Sequence, residues 1–356
     1  MESAPERDYW PTTDCQSAEP EDVSADADRL SELDAYARQS MPPIRGILIV
    51  RGGRVVFERY YDGCTEETYH TVNSVTKSVT SALIGIAFRK GLLTSVDQPV
   101  LDFFPELAAQ DDPRKQAITL RHLLTMTSGF EAPGPGTPLA SRIPLDSPNL
   151  VEAAFARPLA TAPGAAFLYD ELSCHLLSIL LTRLTGLSAA AFAEQELFTP
   201  LGIWRSNHVR NVWKQDRGQR DAFHSYGFWP DDGRPWKVDQ HGHTFGGGGP
   251  HLTLREMAKF GDLYLNAGRW DGVEAVPSWF VDDSTREQSA GGPPVNWPYG
   301  YLWWMRPAGG FFASGYGGQA IHVIADIDTI VAFATTQTRN WPAAIIGRFV
   351  VPAMSS

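Results

Sequence analysis

Hydrophobic residues follow two patterns along this chain, and each pattern predicts a different kind of element. Between residues 30 and 37 the apolar side chains recur every three or four positions, which predicts a first α-helix. The β-branched runs 47–50 and 55–57 are separated by Gly52 and Gly53, a pattern that favours a tight β-hairpin. The folded part of the chain is therefore expected to begin near residue 29.

A second helical pattern covers residues 74–90. Its apolar positions recur at three and four, and Gly91 follows where a left-handed helix cap would stand. The same spacing predicts three more helices in the middle of the chain, at residues 122–126, 150–155 and 172–184. Seven prolines and glycines between residues 131 and 148 predict a long surface loop that could serve as a lid.

The last sixty residues return to a strand pattern. Their apolar runs predict three strands, at residues 301–304, 320–325 and 330–334. Strands near both ends with helices between them indicate one sheet that receives strands from both ends of the chain. The expected fold is an α/β (α+β) sandwich, with a sheet lobe of about residues 29–90 and 250–356 and an inserted helical lobe of about residues 91–249.

Composition and charge narrow the class of protein. With 43% hydrophobic and 20% charged residues, the chain is neither disordered nor fibrous. Residues 1–30 hold nine acidic residues and two arginines, which is −7 of the net charge of −11. Residues 1–28 are therefore expected to form a solvated acidic tail, and the nearly neutral remainder offers no basic stripe for nucleic acid. The longest apolar run, residues 82–88, is far below the ~18 residues of a membrane span.

Other features give little support to a metal site, a phosphate site or export. The three cysteines are widely spaced and form no CxxC pair. His241, His243 and His251 have no carboxylate at helical spacing, so we predict no metal. Glycines 246–249 precede no GKT or GKS sequence and are expected to permit close backbone packing. No basic stretch followed by an apolar one is visible near residue 1, and a cytoplasmic location is the expectation.

The sharpest chemical feature is the sequence Ser74-Val75-Thr76-Lys77. A serine hydroxyl becomes a nucleophile when a base takes its proton, and a lysine three residues later lies on the same helical face. The N-terminus of the helix adds N–H groups that stabilise an alkoxide or an oxyanion. The alternative is a serine that only caps the helix and a lysine in solvent.

The surrounding sequence favours the catalytic interpretation. Its motifs resemble, in the same order, those of the serine β-lactamase-like family, which includes class C β-lactamases, D-alanyl-D-alanine peptidases, esterases and 6-aminohexanoate-oligomer hydrolases. The matching segments are residues 71–78, 91–100, 118–129, 163–169, 254–261 and 315–319. The resemblance runs from about residue 30 to the end of the chain. It implies a β-lactamase/penicillin-binding-protein-like fold, an antiparallel sheet flanked by helices with an inserted, mainly helical lobe.

The second motif of that family is Tyr-x-Asn, and its counterpart here is Tyr169-Asp170-Glu171. The tyrosine is kept, and the resemblance implies that Tyr169 assists proton transfer. A nearby ammonium makes a phenol easier to ionise, so Tyr169 can serve as general base or acid beside Lys77. Glutamate replaces the asparagine, and Glu171 either pairs with Lys77 or points away from it.

The third motif of the family is Lys or His, then Thr or Ser, then Gly, and Ala313-Ser314-Gly315 matches it without the cation. By this resemblance the backbone N–H groups of Ser74 and Tyr316 form the oxyanion hole. Ser314, Gly315 and Gly317 are expected to line the site. The two glycines also have a plainer interpretation as turn residues with positive φ.

Together these observations predict a serine hydrolase that acts through an acyl-enzyme, without a cofactor, on small carboxylic esters and next on amides. Three alternatives stay open. The first is a β-lactamase or D-alanyl-D-alanine peptidase. The second is a penicillin-binding or peptide-binding module without turnover, suggested by Glu171 and Ala313. The third is a metal-dependent hydrolase that uses the histidines. The expected partner is a small ester or amide substrate, and the oligomeric state is left open.

Overall fold

The computed structural model describes residues 7, 9–41, 44–107, 112–131, 147–205, 229–230, 236–336 and 341–355. Within them the α-helices are α1 Ala27–Ser40, α2 Thr76–Arg89, α3 Leu120–Leu124, α4 Leu150–Ala156, α5 Glu171–Thr185, α6 Ala189–Ala193, α7 Thr199–Leu201, α8 Leu254–Leu265, α9 Ser278–Ser284, α10 Trp341–Ile345 and α11 Val351–Met354. The strands are β1 Ile44–Arg51, β2 Arg54–Tyr60, β3 His70–Thr71, β4 Trp229–Pro230, β5 Lys237–Val238, β6 His251–Leu252, β7 Arg269–Trp270, β8 Val273–Glu274, β9 Ser289–Gly292, β10 Trp297–Tyr299, β11 Trp304–Met305, β12 Phe311–Gly315, β13 Gln319–Ile324 and β14 Thr329–Thr335.

Eight of these strands form one antiparallel sheet in the order β2-β1-β14-β13-β12-β11-β10-β9. Strand β1 pairs with β14, so that Ile47 lies opposite Phe333. The prediction that both ends of the chain contribute to one sheet is therefore confirmed. The predicted hairpin is also present, and Gly52 and Gly53 both have positive φ in its turn, +59° and +78°.

Helices cover both faces of this sheet, and β1 directs alternate side chains to each face. Ile47 and Ile49 pack with the buried residues of α1 and α11, whereas Leu48 and Val50 belong to the larger core on the opposite face. Helix α8 packs on that opposite face, where Gly261 brings its backbone close to Ile321 and Ile330. Helix α2 lies in the same core and is buried from Thr76 to Ala87, which makes it the central helix of the molecule.

The acidic N-terminal segment differs from the expected solvated tail. Ser17 forms a bridge with Val55 beside the sheet edge, and the rings of Trp10 and Trp270 lie 5.2 Å apart. The side chain of Arg7 contacts Asp262 and Asp328 at 3.3 and 2.6 Å. The charge pattern indicated solvation, but it gave no information on the few apolar and basic side chains that attach the segment to the body.

Two further predictions, a strand at residues 301–304 and a loop at residues 131–148, are compared with the structure as follows: the first is wrong, and the second falls largely on residues that are not described. Residues 301–304 are not a continuous strand, because Leu302 has a φ of +63° and the chain turns between β10 and β11. Most of the predicted lid loop, residues 132–146, lies outside the described residues.

Among the described helices, no single one is long and apolar enough to cross a bilayer. The pair Glu171–Thr185 and Ala189–Leu201 passes that test only jointly, across a 74° bend.

Candidate active site

Ser74 lies in a short 3₁₀ turn, Asn73–Val75, that leads directly into α2. Neither this turn nor α2 has a side-chain cap hydrogen bond at its N-terminus, so the interpretation of Ser74 as a helix cap is not supported. The preceding residue, Asn73, has a φ of +48°, a left-handed conformation that asparagine tolerates better than most residues. Ser74 is half-buried, and because its hydroxyl caps no helix it can hydrogen-bond to neighbouring side chains.

Lys77 lies one turn further along and is 1% exposed. Its Nζ atom is 2.9 Å from Ser74 Oγ, 2.8 Å from each carboxylate oxygen of Glu171 and 3.1 Å from the carbonyl oxygen of Gly247. Burial alone would lower the pKa of Lys77, but the carboxylate of Glu171 raises it, and the net pKa lies above the ordinary lysine value. Lys77 is thus a buried ammonium group in contact with the serine.

Tyr169 lies close enough to the Ser74 side chain for that neighbour to lower the pKa of its phenol. Its ring centroid is 4.8 Å from Lys77 Nζ, and its ring stacks on Trp304 with centroids 5.8 Å apart. Burial raises the pKa of Tyr169 above the ordinary value of a phenol, while the charge of Lys77 opposes that rise. The phenol is accordingly protonated at neutral pH.

Glu171, the first residue of α5, pairs with Lys77, which decides between the two orientations left open by the sequence. Asp170 caps this helix by accepting the backbone N–H of Ser173. The pair has side-chain exposures of only 1% for Lys77 and 8% for Glu171. A buried ion pair of this kind is costly to separate, so its two members hold each other in place.

Gly247 belongs to the site although the sequence gave it no chemical role. Besides accepting from Lys77, it leaves no room for a side chain, because a Cβ atom there would lie 2.0 Å from Glu171 Oε2 and 3.3 Å from Lys77 Nζ. The run of glycines 246–249 was the signal, and the predicted close backbone packing is confirmed: a Cβ atom on Gly246 would lie 2.1 Å from the carbonyl oxygen of Cys174.

The end of β12 lies against the serine turn. A Cβ atom on Gly315 would be 2.2 Å from the carbonyl oxygen of Val72 and 3.1 Å from the backbone nitrogen of Ser74. Asn73 Nδ2 donates to the carbonyl oxygen of Tyr316 at 2.6 Å, while the Tyr316 side chain is 77% exposed. The backbone segments of the expected oxyanion hole are thus neighbours.

The remaining residues of the third motif contribute differently. Ser314 is half-buried, and Ala313 before it is buried and carries no charge. Gly317 has a φ of +89°, and its carbonyl oxygen accepts the Thr335 hydroxyl at 2.7 Å. A structural turn role for Gly317 is therefore evident, whatever contact it also makes with a substrate.

The histidines named as conceivable metal ligands lie elsewhere. His241 and His243 are in the loop around Asp239, where His243 Nδ1 is 3.3 Å from the Asp239 carboxylate, and His251 is in β6. Asp239 also pairs with buried His175, at 2.9 Å. Among the described residues, no three His, Cys, Asp or Glu side chains converge well enough to hold a metal ion.

The chain is similar to curated hydrolases. The chain is 29% identical to the lovastatin esterase of Penicillium rubens over 229 residues, which are 59% of this chain and 54% of that protein. It is 23% identical to the 6-aminohexanoate-dimer hydrolase of Paenarthrobacter ureafaciens over 342 residues, 90% of this chain and 80% of that protein. Thus the chain spans about half of the length of the first relative and four fifths of the second.

Solved structures share the fold. The crystal structure of a family VIII carboxylesterase superposes with a TM-score of 0.69 at 16% identity, covering 94% of this chain and 98% of that one. The sequence model of the Beta-lactamase family matches residues 33–352, which is nearly the whole chain. The β-lactamase/penicillin-binding-protein-like fold expected from the sequence is confirmed. The chain belongs to the Beta-lactamase family of serine hydrolases.

Proposed function

We propose that this protein hydrolyses small carboxylic esters through an acyl-enzyme formed on Ser74. The observation that carries the proposal is the 2.9 Å contact between Ser74 Oγ and Lys77 Nζ at the entrance to α2. A serine in contact with a buried lysine and close to a tyrosine has the groups that activation of a nucleophile requires. In this proposal Ser74, Lys77 and Tyr169 are the catalytic residues.

The mechanism follows from these contacts. Ser74 Oγ attacks the ester carbonyl while its proton passes to the Lys77–Glu171 ion pair. The oxyanion accepts hydrogen bonds from the backbone N–H groups of Ser74 and Tyr316. Tyr169, a protonated phenol, donates its proton to the departing alkoxide, so that an alcohol leaves. Water then attacks the acyl group by the same route, and the carboxylic acid is released.

The charges of the site favour an uncharged substrate. Glu171 neutralises Lys77, and position 313 holds an alanine where a cation would attract a substrate carboxylate. The absence of one charge-assisted hydrogen bond costs an anionic substrate roughly 1.5–3 kcal/mol, whereas an uncharged ester loses nothing. The similarity to a lovastatin esterase also supports esters, and that to a 6-aminohexanoate-dimer hydrolase makes linear amides the second substrate class.

A fluorophosphonate probe and three substrates test this proposal together. We expect the probe to label Ser74 and p-nitrophenyl butyrate to be turned over faster than nitrocefin or a p-nitroanilide amide. Slow labelling without turnover of any substrate would favour the binding module instead. Activity that is sensitive to a chelator and leaves Ser74 unlabelled would favour a metal-dependent hydrolase and contradict the proposal.

A further inference from the structure

The hydrogen-bond partners of Lys77 match those of an ammonium group. Such a group has three N–H donors and no acceptor. Three acceptor groups lie within 3.1 Å of Nζ: the Ser74 hydroxyl, the Glu171 carboxylate and the Gly247 carbonyl. A neutral amine could accept from the Ser74 hydroxyl, but it would lack the positive charge that pairs with both carboxylate oxygens of Glu171, each 2.8 Å away. The geometry therefore favours a resting state in which Lys77 already carries the proton that a general base would need to accept.

Tyr169 cannot take that proton in the resting state either. Its pKa is raised by burial, and although Lys77 lowers it, the negative charge of Glu171 raises it again. Ser74, Lys77 and Tyr169 are thus all protonated before substrate arrives. Glu171 is the side chain in contact with Lys77 that carries a carboxylate. Each of its two oxygens lies 2.8 Å from Lys77 Nζ and accepts a hydrogen bond from it.

The other titratable groups around this pair do not supply a base. Burial raises the pKa of both Cys174 and Tyr299, so each is protonated at neutral pH. Asp170 accepts the backbone N–H of Ser173, and its carboxylate lies 3.8 Å from Arg157. No contact between Asp170 and Lys77 is present in the described part of the chain.

We infer that Glu171 is the terminal proton acceptor of the acylation step and that it acts on Ser74 only through Lys77. As Ser74 Oγ bonds to the ester carbon, its O–H proton moves to Lys77 Nζ while one ammonium proton moves to a Glu171 oxygen. Lys77 stays an ammonium group throughout, and Glu171 becomes a carboxylic acid. When Tyr169 has protonated the leaving alkoxide, Lys77 returns a proton to the phenolate and is replenished from Glu171, which restores every group.

This inference rests on the proposed function, and its test uses the intact chain with p-nitrophenyl butyrate. In Glu171→Gln the relay has no final acceptor, so Lys77 must lose its own proton before it can serve as the base. We expect kcat/KM to fall at least tenfold at pH 7 and to recover with rising pH, up to tenfold per unit, while the wild type is flat from pH 7 to 9. Rates with Ser74→Ala give the uncatalysed blank at each pH.

Asp170→Asn is the matched control, because it removes an adjacent buried carboxylate while an asparagine can still cap the helix. Its pH profile should keep the wild-type shape. Glu171→Asp retains a carboxylate and should also keep that shape, at a lower rate. A profile of Glu171→Gln that runs parallel to that of the wild type, or a shifted profile in Asp170→Asn, would overturn the inference.

Rates in mixtures of H2O and D2O test the same step even if Glu171→Gln does not fold. Two protons in motion predict a curved dependence of kcat/KM on the deuterium fraction in the wild type and a linear one in the glutamine variant. A linear wild-type plot would overturn the relay. Fluorophosphonate labelling distinguishes a failure of the proposed function from a failure of the role of Glu171. An unlabelled Ser74 refutes the proposed function, whereas a labelled Ser74 with an unchanged Glu171→Gln profile refutes the role of Glu171 alone.

Discussion

Ser74 Oγ lies 2.9 Å from Lys77 Nζ, and this contact is made by a serine whose side chain caps no helix. The two residues are one helical turn apart, so α2 itself fixes their separation. Because the Ser74 hydroxyl caps no helix, its removal should affect catalysis with little effect on folding. Replacement of a helix-capping residue would affect both.

Replacement of Ser74 by alanine should abolish ester hydrolysis and leave the fold intact. The nucleophile has no substitute, whereas the loss of one hydrogen bond costs only about 1 kcal/mol. Turnover of p-nitrophenyl butyrate and the Tm of both proteins provide the check. Residual activity above one per cent with an unchanged Tm would refute Ser74 as the nucleophile.

Replacement of Lys77 by methionine should remove at least a hundredfold of kcat/KM and also destabilise the protein. The variant leaves Glu171 buried without its partner, at a cost of about 3–5 kcal/mol. The double variant Lys77→Met/Glu171→Gln should recover most of the lost Tm without recovering activity. If the double variant regains activity to within tenfold of the wild type, Lys77 is not part of the proton transfer.

Substrate choice should respond to a cation at position 313. The wild type should prefer p-nitrophenyl butyrate to nitrocefin, and Ala313→Lys should increase nitrocefin turnover by on the order of tenfold. Ala313→Met is the matched control, since it adds similar length without charge. Efficient nitrocefin turnover by the unaltered protein, or an equal gain in the methionine variant, would show that the missing cation does not set the preference.

The N-terminal segment should contribute to stability. Trp10→Ala removes the ring contact with Trp270 and should lower the free energy of unfolding by about 2 kcal/mol and the Tm by roughly 2–5 °C. Asp22→Asn, at an exposed position of the same segment, should leave the Tm unchanged. Equal melting of all three proteins would restore the picture of a solvated tail.

Stability should depend on pH through Asp262. Burial raises its pKa to about 6, although Arg7 lowers it, so the folded protein holds this proton more tightly than the unfolded chain. The contribution is therefore complete below about pH 4 and is lost as pH rises through about 6, a difference on the order of 2–3 kcal/mol. Asp262→Asn cannot ionise, so it should gain stability relative to the wild type between pH 4 and 7.

Urea unfolding of the wild type and Asp262→Asn at pH 4, 5, 6 and 7 measures that difference. Asp102→Asn, at an exposed position, should track the wild type at every pH. A constant offset between Asp262→Asn and the wild type across this range would contradict the assignment, because a purely structural effect of the substitution does not change with pH.

Short-range sequence patterns were sufficient to predict much of the fold and the residues at the centre of the site. The periodicity of residues 74–90 and the Gly52-Gly53 turn act over a few positions, and both were predicted correctly. The contact of Gly247 with Lys77 joins residues 170 positions apart, and no periodicity encodes it. The orientation of Glu171 depends in the same way on where α5 meets α2, which only the packed chain determines.

The pairing of β1 with β14 has a consequence for how the protein is made. Ile47 and Phe333 are neighbours in the sheet, yet most of the chain lies between them. During synthesis, the edge of β1 stays unpaired until β14 leaves the ribosome, while the helices that lie between these two strands in sequence can already form. The serine turn precedes α2 and rests against β12, so the site is assembled only after the chain has been synthesised as far as β12.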